Sequence, residues 1–256
     1  MIITLAGIIT FIFTTVLTIA GVGAAFILIP VFDALGIDFR VAMATALLLN
    51  SIAMIFASTR FIRKKLVMFK VAVPILIVAT ALSPLGAVTA QHIKIIPLKW
   101  LFVGFLLFAA YMMLFYRPTL KEEEKLSKGA KPVLYGCGVG ALAGFLGGLL
   151  GVGGGNIIVP VLVWLGYDPK KASATTSFIV IFSSFSGFLG HATLGNVNWI
   201  LLGATAVGSA AGAILGAYLM TEKLSREQVR KIIGIILLGI AGKMIWSLLK
   251  LMHLIK

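Results

Sequence analysis

The chain has 256 residues, of which 60% are hydrophobic and 12% charged, with a mean hydropathy of +1.10. Soluble domains carry about a quarter charged residues, so a water-facing shell cannot be built from this composition and a soluble enzyme or carrier is excluded. The net charge of +14 does not point to nucleic acid, because the basic residues stand in short clusters between apolar stretches, as in positive-inside topology, and form no single basic face.

In chain order, the N-terminus Met1-Ile2-Ile3-Thr4-Leu5 has no basic leader and no cleavage site, so the first segment reads as a retained membrane helix. Apolar stretches long enough to cross ~30 Å of hydrocarbon lie at roughly 41–59, 70–92, 98–116, 173–192, 198–220 and 232–249. Two longer stretches, 1–36 and 132–166, are broken by glycine. The hydrophilic segment Arg117–Lys131 separates two halves, so the expected organisation is a transmembrane repeat over 1–118, a basic cytoplasmic linker over 119–131 and a second repeat over 132–256. The single cysteine, Cys137, excludes an intrachain disulfide and reads as apolar filler.

The halves are copies of one unit. At a shift of 130 residues, Gly21–Thr45 aligns without gaps on Gly151–Thr175, with Gly21/Gly151, Gly23/Gly153, Pro30/Pro160, Gly36/Gly166, Asp38/Asp168 and Thr45/Thr175 among the identities. The register continues through Val67/Val197, Gly86/Gly216 and Gly104/Gly234. Loop charge arbitrates between parallel and inverted copies. With eight simple crossings, twelve of the 22 basic residues fall inside and nine outside. With each glycine-broken segment folded as a hairpin, five segments per half, the split is 16 to five, with Lys243 inside a segment. An odd number of segments reverses the second unit, so the expected fold is an all-α polytopic membrane protein of two inverted-topology repeats, each with a glycine-broken helical hairpin.

The run Gly147-Gly148-Leu149-Leu150-Gly151-Val152-Gly153-Gly154-Gly155-Asn156, followed by Pro160, cannot stay helical throughout, since each interior glycine costs roughly 1 kcal/mol. Backbone opened at membrane depth is tolerated where it is buried in protein or lines a wet cavity, and a helix starting near Asn156 would aim free N–H groups and its positive dipole end there. That is a seat for an anion. The glycine runs Gly136/Gly140/Gly144 and Gly208/Gly212/Gly216 read instead as surfaces for close helix packing. A P-loop is a weaker reading, because the Lys-Ser/Thr pair is missing.

In the next helix, a turn of about 100° per residue places Ser173, Thr176, Ser177, Ser184, Gly187 and His191 on one line. Hydroxyls in membrane helices also bond their own backbone or a neighbouring helix, so this stripe has a structural reading beside the functional one. The shifted positions Met43, Ala46, Leu47, Met54, Ala57 and Phe61 are apolar or small, so the polar stripe exists in one copy. Asp33, Asp38 and Asp168 lie in turns after the broken segments, Glu122, Glu123 and Glu124 in the linker, and Glu222 and Glu227 in a late loop. Without a mid-membrane carboxylate, a cation site is disfavoured and an anionic substrate fits better. Lys243 either adds charge to such a site or snorkels.

Gly151-Val152-Gly153-Gly154-Gly155-Asn156 with Pro160, then Asp168, Ala174-Thr175-Thr176-Ser177 and Gly195-Asn196-Val197-Asn198-Trp199, resemble the TauE/SafE sulfite exporter family, and the likeness extends over both halves. The resemblance implies a multi-pass transporter of the bacterial or archaeal inner membrane for small anions, often sulfur-containing ones such as sulfite, sulfonates or sulfoacetate. The first half departs from the pattern: Ala24, Ala25 and Phe26 stand where Gly154, Gly155 and Asn156 stand in the second.

The expected substrate-binding set is Gly153, Gly154, Gly155, Asn156, Thr175, Thr176, Ser177 and Ser184, with Gly21, Gly23, Thr45 and Asn50 from the first half. The expected partners are a small anion and the lipid bilayer, a homodimer being compatible with the chain, and no cofactor or metal is called for. An anion channel and a non-transporting membrane subunit are the competing readings. The chain has no His-Glu-x-x-His, no Cys/His cluster and no paired intramembrane acids, so an embedded enzyme is not expected.

Overall fold

A computed structural model describes residues 2–21, 23–25, 28, 29, 32, 39–90, 95–115, 131–192 and 199–251. The linker 119–130, Asp33, Asp38 and Gly195–Asn198 lie outside the described residues. Regular structure among the described residues is helical: α1 (Ile2–Ala20), α2 (Phe39–Arg63), α3 (Phe69–Thr89), α4 (Ile95–Leu114), α5 (Lys131–Leu149), α6 (Gly155–Trp164), α7 (Pro169–Ala192), α8 (Trp199–Tyr218) and α9 (Arg226–Leu251). A π-helical turn, Leu219–Lys223, extends α8.

Hydropathy alone places the starts of α7 and α9 too late, because their first turns are polar. Asp168 Oδ1 accepts the backbone N–H groups of Lys170 (2.9 Å) and Lys171 (3.2 Å), and Pro169 fills the first helical position, where no N–H is needed. Ser225 and Gln228 close α9 with a reciprocal capping box, Ser225 N to Gln228 Oε1 at 2.7 Å and Gln228 N to Ser225 Oγ at 3.2 Å.

Among the described residues, four helices are long and apolar enough to cross a membrane: Val41–Arg63, Phe69–Thr89, Pro169–His191 and Glu227–Lys250. Polarity is arranged as lipid requires. Phe69, Val73, Ile77, Leu85 and Val88 along α3, and Ile235, Leu238 and Trp246 along α9, face outward, whereas Thr10, Thr14 and Thr18 of α1 and Ser173, Thr175, Thr176 and Ser177 of α7 are buried. In water this pattern would be inverted.

The principal packed pairs are α1 with α8, α3 with α5, α2 with α7, α4 with α9, α2 with α8 and α3 with α7. Gly208, Gly212 and Gly216 meet the backbone at Gly7, Phe11 and Thr15, so α1 and α8 run in the same direction. Gly136, Gly140, Gly144 and Gly148 descend Pro74, Ile75, Ala79 and Ser83 in the same way, so α3 and α5 also run parallel. By contrast α2 and α7 cross antiparallel, with Leu47 beside Gly187, Asn50 bonded to Ser184 and Ser51 to the carbonyl of Ile181. A shift of 130 residues turns the α1/α8 pair into α5/α3 and the α2/α8 pair into α7/α3.

The glycine runs act here as packing surfaces. A Cβ at Gly144 would stand 2.5 Å from Ala79 Cα and one at Gly212 2.5 Å from the Phe11 carbonyl oxygen, whereas Gly203 and Gly239 face open space. Without a hydrophobic force between helices in lipid, close backbone approach supplies much of the cohesion. Gly144→Ala and Gly212→Ala are therefore expected to destabilise the protein by about 1–3 kcal/mol, the usual range for overpacking, while Gly239→Ala is neutral or stabilising; thermal unfolding in detergent reads the difference.

Candidate functional site

The helix stops at Leu149 and resumes at Gly155. Between them Gly151, Gly153 and Gly154 take φ of 69°, 76° and 78°, a left-handed backbone that costs an L-residue about 1–2 kcal/mol. The turn is tight because Val152 N and Gly153 N both bond the Gly147 carbonyl, at 2.8 and 3.2 Å. Gly147 lies directly against the Gly154 backbone, and a Cβ on Gly154 would meet the Ala143 carbonyl oxygen, so neither position has room for a side chain. Every residue from Gly151 to Pro160 is buried.

Gly154 caps α6 without a side-chain hydrogen bond, and its carbonyl takes the N–H groups of Ile157 (3.1 Å) and Ile158 (3.3 Å). The N–H groups of Gly155 and Asn156 precede this ladder, at the positive end of the helix. The shifted position in the first half shows the same backbone: α1 stops at Ala20, and Gly21 and Gly23 have φ of 71° and 80°.

Both breaks converge on Asn50 of α2. A Cβ at Gly23 would fall on its carboxamide oxygen, and one at Gly153 would stand 3.1 Å from its nitrogen. Asn50 Nδ2 donates to Ser184 Oγ at 3.0 Å, and Ser184 Oγ itself lies against Gly153. Ser183 Oγ donates to the Gly153 carbonyl at 3.1 Å, and Ser83 Oγ of α3 donates to the Ser183 carbonyl at 2.8 Å, so hydroxyl bonds tie the second break to α7 and α7 to α3. Neither Ser183 nor Ser83 belonged to the expected set; Ser183 is one helical step, about 100°, away from Ser184.

Of the expected residues, the structure thus brings together Gly23, Asn50, Gly153 and Ser184, with Gly154, Gly155 and Asn156 following along the chain. Gly21 packs instead on Ser173. Thr45 is buried on α2. The Thr175 hydroxyl accepts Met68 N–H at 3.0 Å, and Ser177 Oγ bonds back to the Ser173 carbonyl at 3.0 Å.

Ser173 bonds the Ile19 carbonyl at 2.9 Å and His191 Nε2 lies 3.0 Å from the Gly148 carbonyl. Much of the α7 stripe therefore bonds protein backbone, and it does not form one open polar wall. The corresponding face of α2, Met43 to Phe61, is buried and apolar apart from Asn50.

Four atoms on fully buried side chains of α2, α6 and α7 have no protein partner: Asn50 Oδ1, Asn156 Nδ2 and Oδ1, and Thr176 Oγ1. A buried polar atom without a partner costs about 1–3 kcal/mol, so each end of the Asn156 carboxamide calls for a hydrogen-bonding partner from outside the protein. No group of three or more His, Cys, Asp or Glu side chains among the described residues forms a metal site.

Comparison with known proteins bears on this arrangement. The profile of the sulfite exporter TauE/SafE family matches residues 6–244. The probable membrane transporter protein YunE of Bacillus subtilis is 27% identical over 91% of this chain and 93% of its own length. A probable membrane transporter protein of Haemophilus influenzae is 27% identical over 90% of this chain and 89% of its own. Sulfite exporter TauE/SafE family protein 6 of Arabidopsis thaliana is 48% identical over a shorter stretch, 24% of this chain and 13% of its own. No solved structure matches.

The node at Asn50 makes a specific expectation. Gly23→Ala alone should lower stability by about 2–4 kcal/mol, combining the left-handed backbone with the clash on Asn50. In an Asn50→Ala background the same change should cost only the ~1–2 kcal/mol of the backbone. Equal costs in the two backgrounds, measured by thermal unfolding, would show that Asn50 does not fill that space.

Proposed function

The chain belongs to the sulfite exporter TauE/SafE family, whose members are membrane transporters, and from that premise we propose that it carries a small anion across the cytoplasmic membrane by alternating access. The substrate class is a sulfur-containing oxyanion of the sulfite, sulfonate or sulfoacetate type. The observation that carries the reading is Asn156, whose entire carboxamide is buried and unpartnered in the first turn of α6. An oxyanion suits the donors of that site: it accepts from Asn156 Nδ2 and from the N–H groups of Gly155 and Asn156 at the positive end of the helix, while Asn156 Oδ1 takes a donor such as the O–H of a singly protonated oxyanion. Thr176 adds a hydroxyl, and Asn50 with Ser184 holds the break in place.

Two inverted repeats, 1–118 and 132–256, supply the alternation. The reciprocity of the packed pairs supports this, as does the antiparallel crossing of α2 and α7, which are equivalent helices of the two halves. Loop charge supports it too. Arg60 and Lys64 of the first half lie against Glu222, and Lys170 reaches Thr221, so the loops that only the five-segment count assigns to one side meet at one end of the bundle.

In proteoliposomes, Asn156→Ala and Thr176→Ala are each expected to reduce sulfite flux at least tenfold while the protein still elutes and unfolds as the parent does. Unchanged flux would remove these residues from the site. Counterflow separates the carrier from a channel: trans substrate accelerates uptake by a carrier, and leaves a channel indifferent.

A further inference from the structure

The basic end of the bundle holds a cluster that the transport site does not use. Arg60, near the end of α2, donates from Nε to Thr221 Oγ1 at 2.9 Å and pairs through its terminal nitrogen with Glu222 Oε1 at 3.0 Å. Its guanidinium carbon also lies 4.9 Å from the centre of the Tyr218 ring. Lys64, one turn on, reaches the same carboxylate oxygen at 2.7 Å, and Lys170 Nζ donates to the Thr221 carbonyl at 3.5 Å. The hydrogen bond from Lys64 holds the Glu222 carboxyl below the ordinary carboxylate range.

The polar contacts fall on one element, the π-helical turn Leu219–Lys223, where the hydrogen-bond ladder of α8 widens before α9 begins, and Tyr218 ends α8 just before it. Arg60 and Lys64 belong to the first half and the turn to the second, so the cluster ties the halves together at this end. The shift of 130 residues maps Arg60 onto Gly190 and Lys64 onto Leu194, neither of which is charged, so the basic half of the cluster has no copy at the opposite end.

We propose that Glu222 is a one-sided latch: with Arg60 and Lys64 it holds the basic, inward end of the transporter closed, and it must release for that end to open. Two inverted repeats alone relate the inward- and outward-open forms by a near two-fold rotation and give them comparable stability. An ion pair present in only one of them shifts the population by the whole of its strength. The side chains of Arg60 and Glu222 are 32% and 36% exposed, so the latch is weak by design of its surroundings and sensitive to salt, which suits a contact broken once per cycle.

The inference rests on the alternating-access reading, but its test needs no flux. Ser58 lies two residues before Arg60, 1% exposed and with its hydroxyl unpartnered, so it reports opening of this end. In the full chain carrying Cys137→Ser and Ser58→Cys, the rate of labelling by uncharged N-ethylmaleimide is measured in detergent. Glu222→Gln and Arg60→Gln should each raise it about two- to tenfold. Raising the salt from 50 to 500 mM, about a threefold change in Debye length, should accelerate labelling in the parent and not in Glu222→Gln.

Glu227→Gln, which breaks the Glu227–Lys231 pair within α9 at 3.4 Å, is the control and should leave the rate unchanged. An unchanged rate in Glu222→Gln, or an equal rise in Glu227→Gln, would overturn the latch. It would leave the proposed anion site standing, since that site is judged by flux through Asn156 and Thr176.

Discussion

Hydrocarbon offers a peptide group no partner, so a chain that opens its helix at membrane depth must satisfy the freed N–H and C=O groups from within or leave them for a ligand. The break at Gly151–Gly154 does the first. The N–H groups of Val152 and Gly153 fold back on the Gly147 carbonyl, and the Gly153 carbonyl is taken by Ser183. Past the break, at Asn156, satisfaction stops. The cost of an unpaired buried carboxamide is comparable to a large fraction of the net stability of a small domain, which is why the proposed anion site is placed there.

The two halves solve the same backbone problem with different side chains. Gly21 and Gly23 reproduce the left-handed turn of Gly151 and Gly153, yet the α2 face equivalent to the α7 stripe is sealed with Met43, Leu47, Met54 and Phe61. Its polar exception is Asn50, which serves both breaks at once and has an apolar counterpart, Val180, in the second half. The unpartnered Asn156 and Thr176 lie in the second half, and the Arg60–Glu222 pair joins the two halves at one end.

Much of this was legible in the residues. Glycines in succession followed by Asn156 forecast the interruption, since no helix absorbs several such residues in a row, and the spacing of Gly208, Gly212 and Gly216 forecast a face for close packing. The starts of α7 and α9 were legible too, though in capping chemistry at Asp168-Pro169 and Ser225/Gln228 and not in hydropathy. What could not be read was which neighbour covers which face. Helical phase aligns Ser173, Ser177 and Ser184, but only tertiary packing decides that the first bonds Ile19, the second its own helix and the third Asn50, 134 residues away. The meeting of Arg60 with Glu222 joins positions 162 apart and left no periodic trace in the sequence.

The central claim is that an anion completes the hydrogen bonding at the start of α6. Amide hydrogen exchange across Gly153–Ile157, followed in the purified protein with and without sulfite, tests it most directly. The expected result is slowing at the Gly155 and Asn156 amides that saturates with sulfite and is absent in Asn156→Ala. Exchange at these amides that is indifferent to sulfite, while protection builds up elsewhere in the chain, would contradict it.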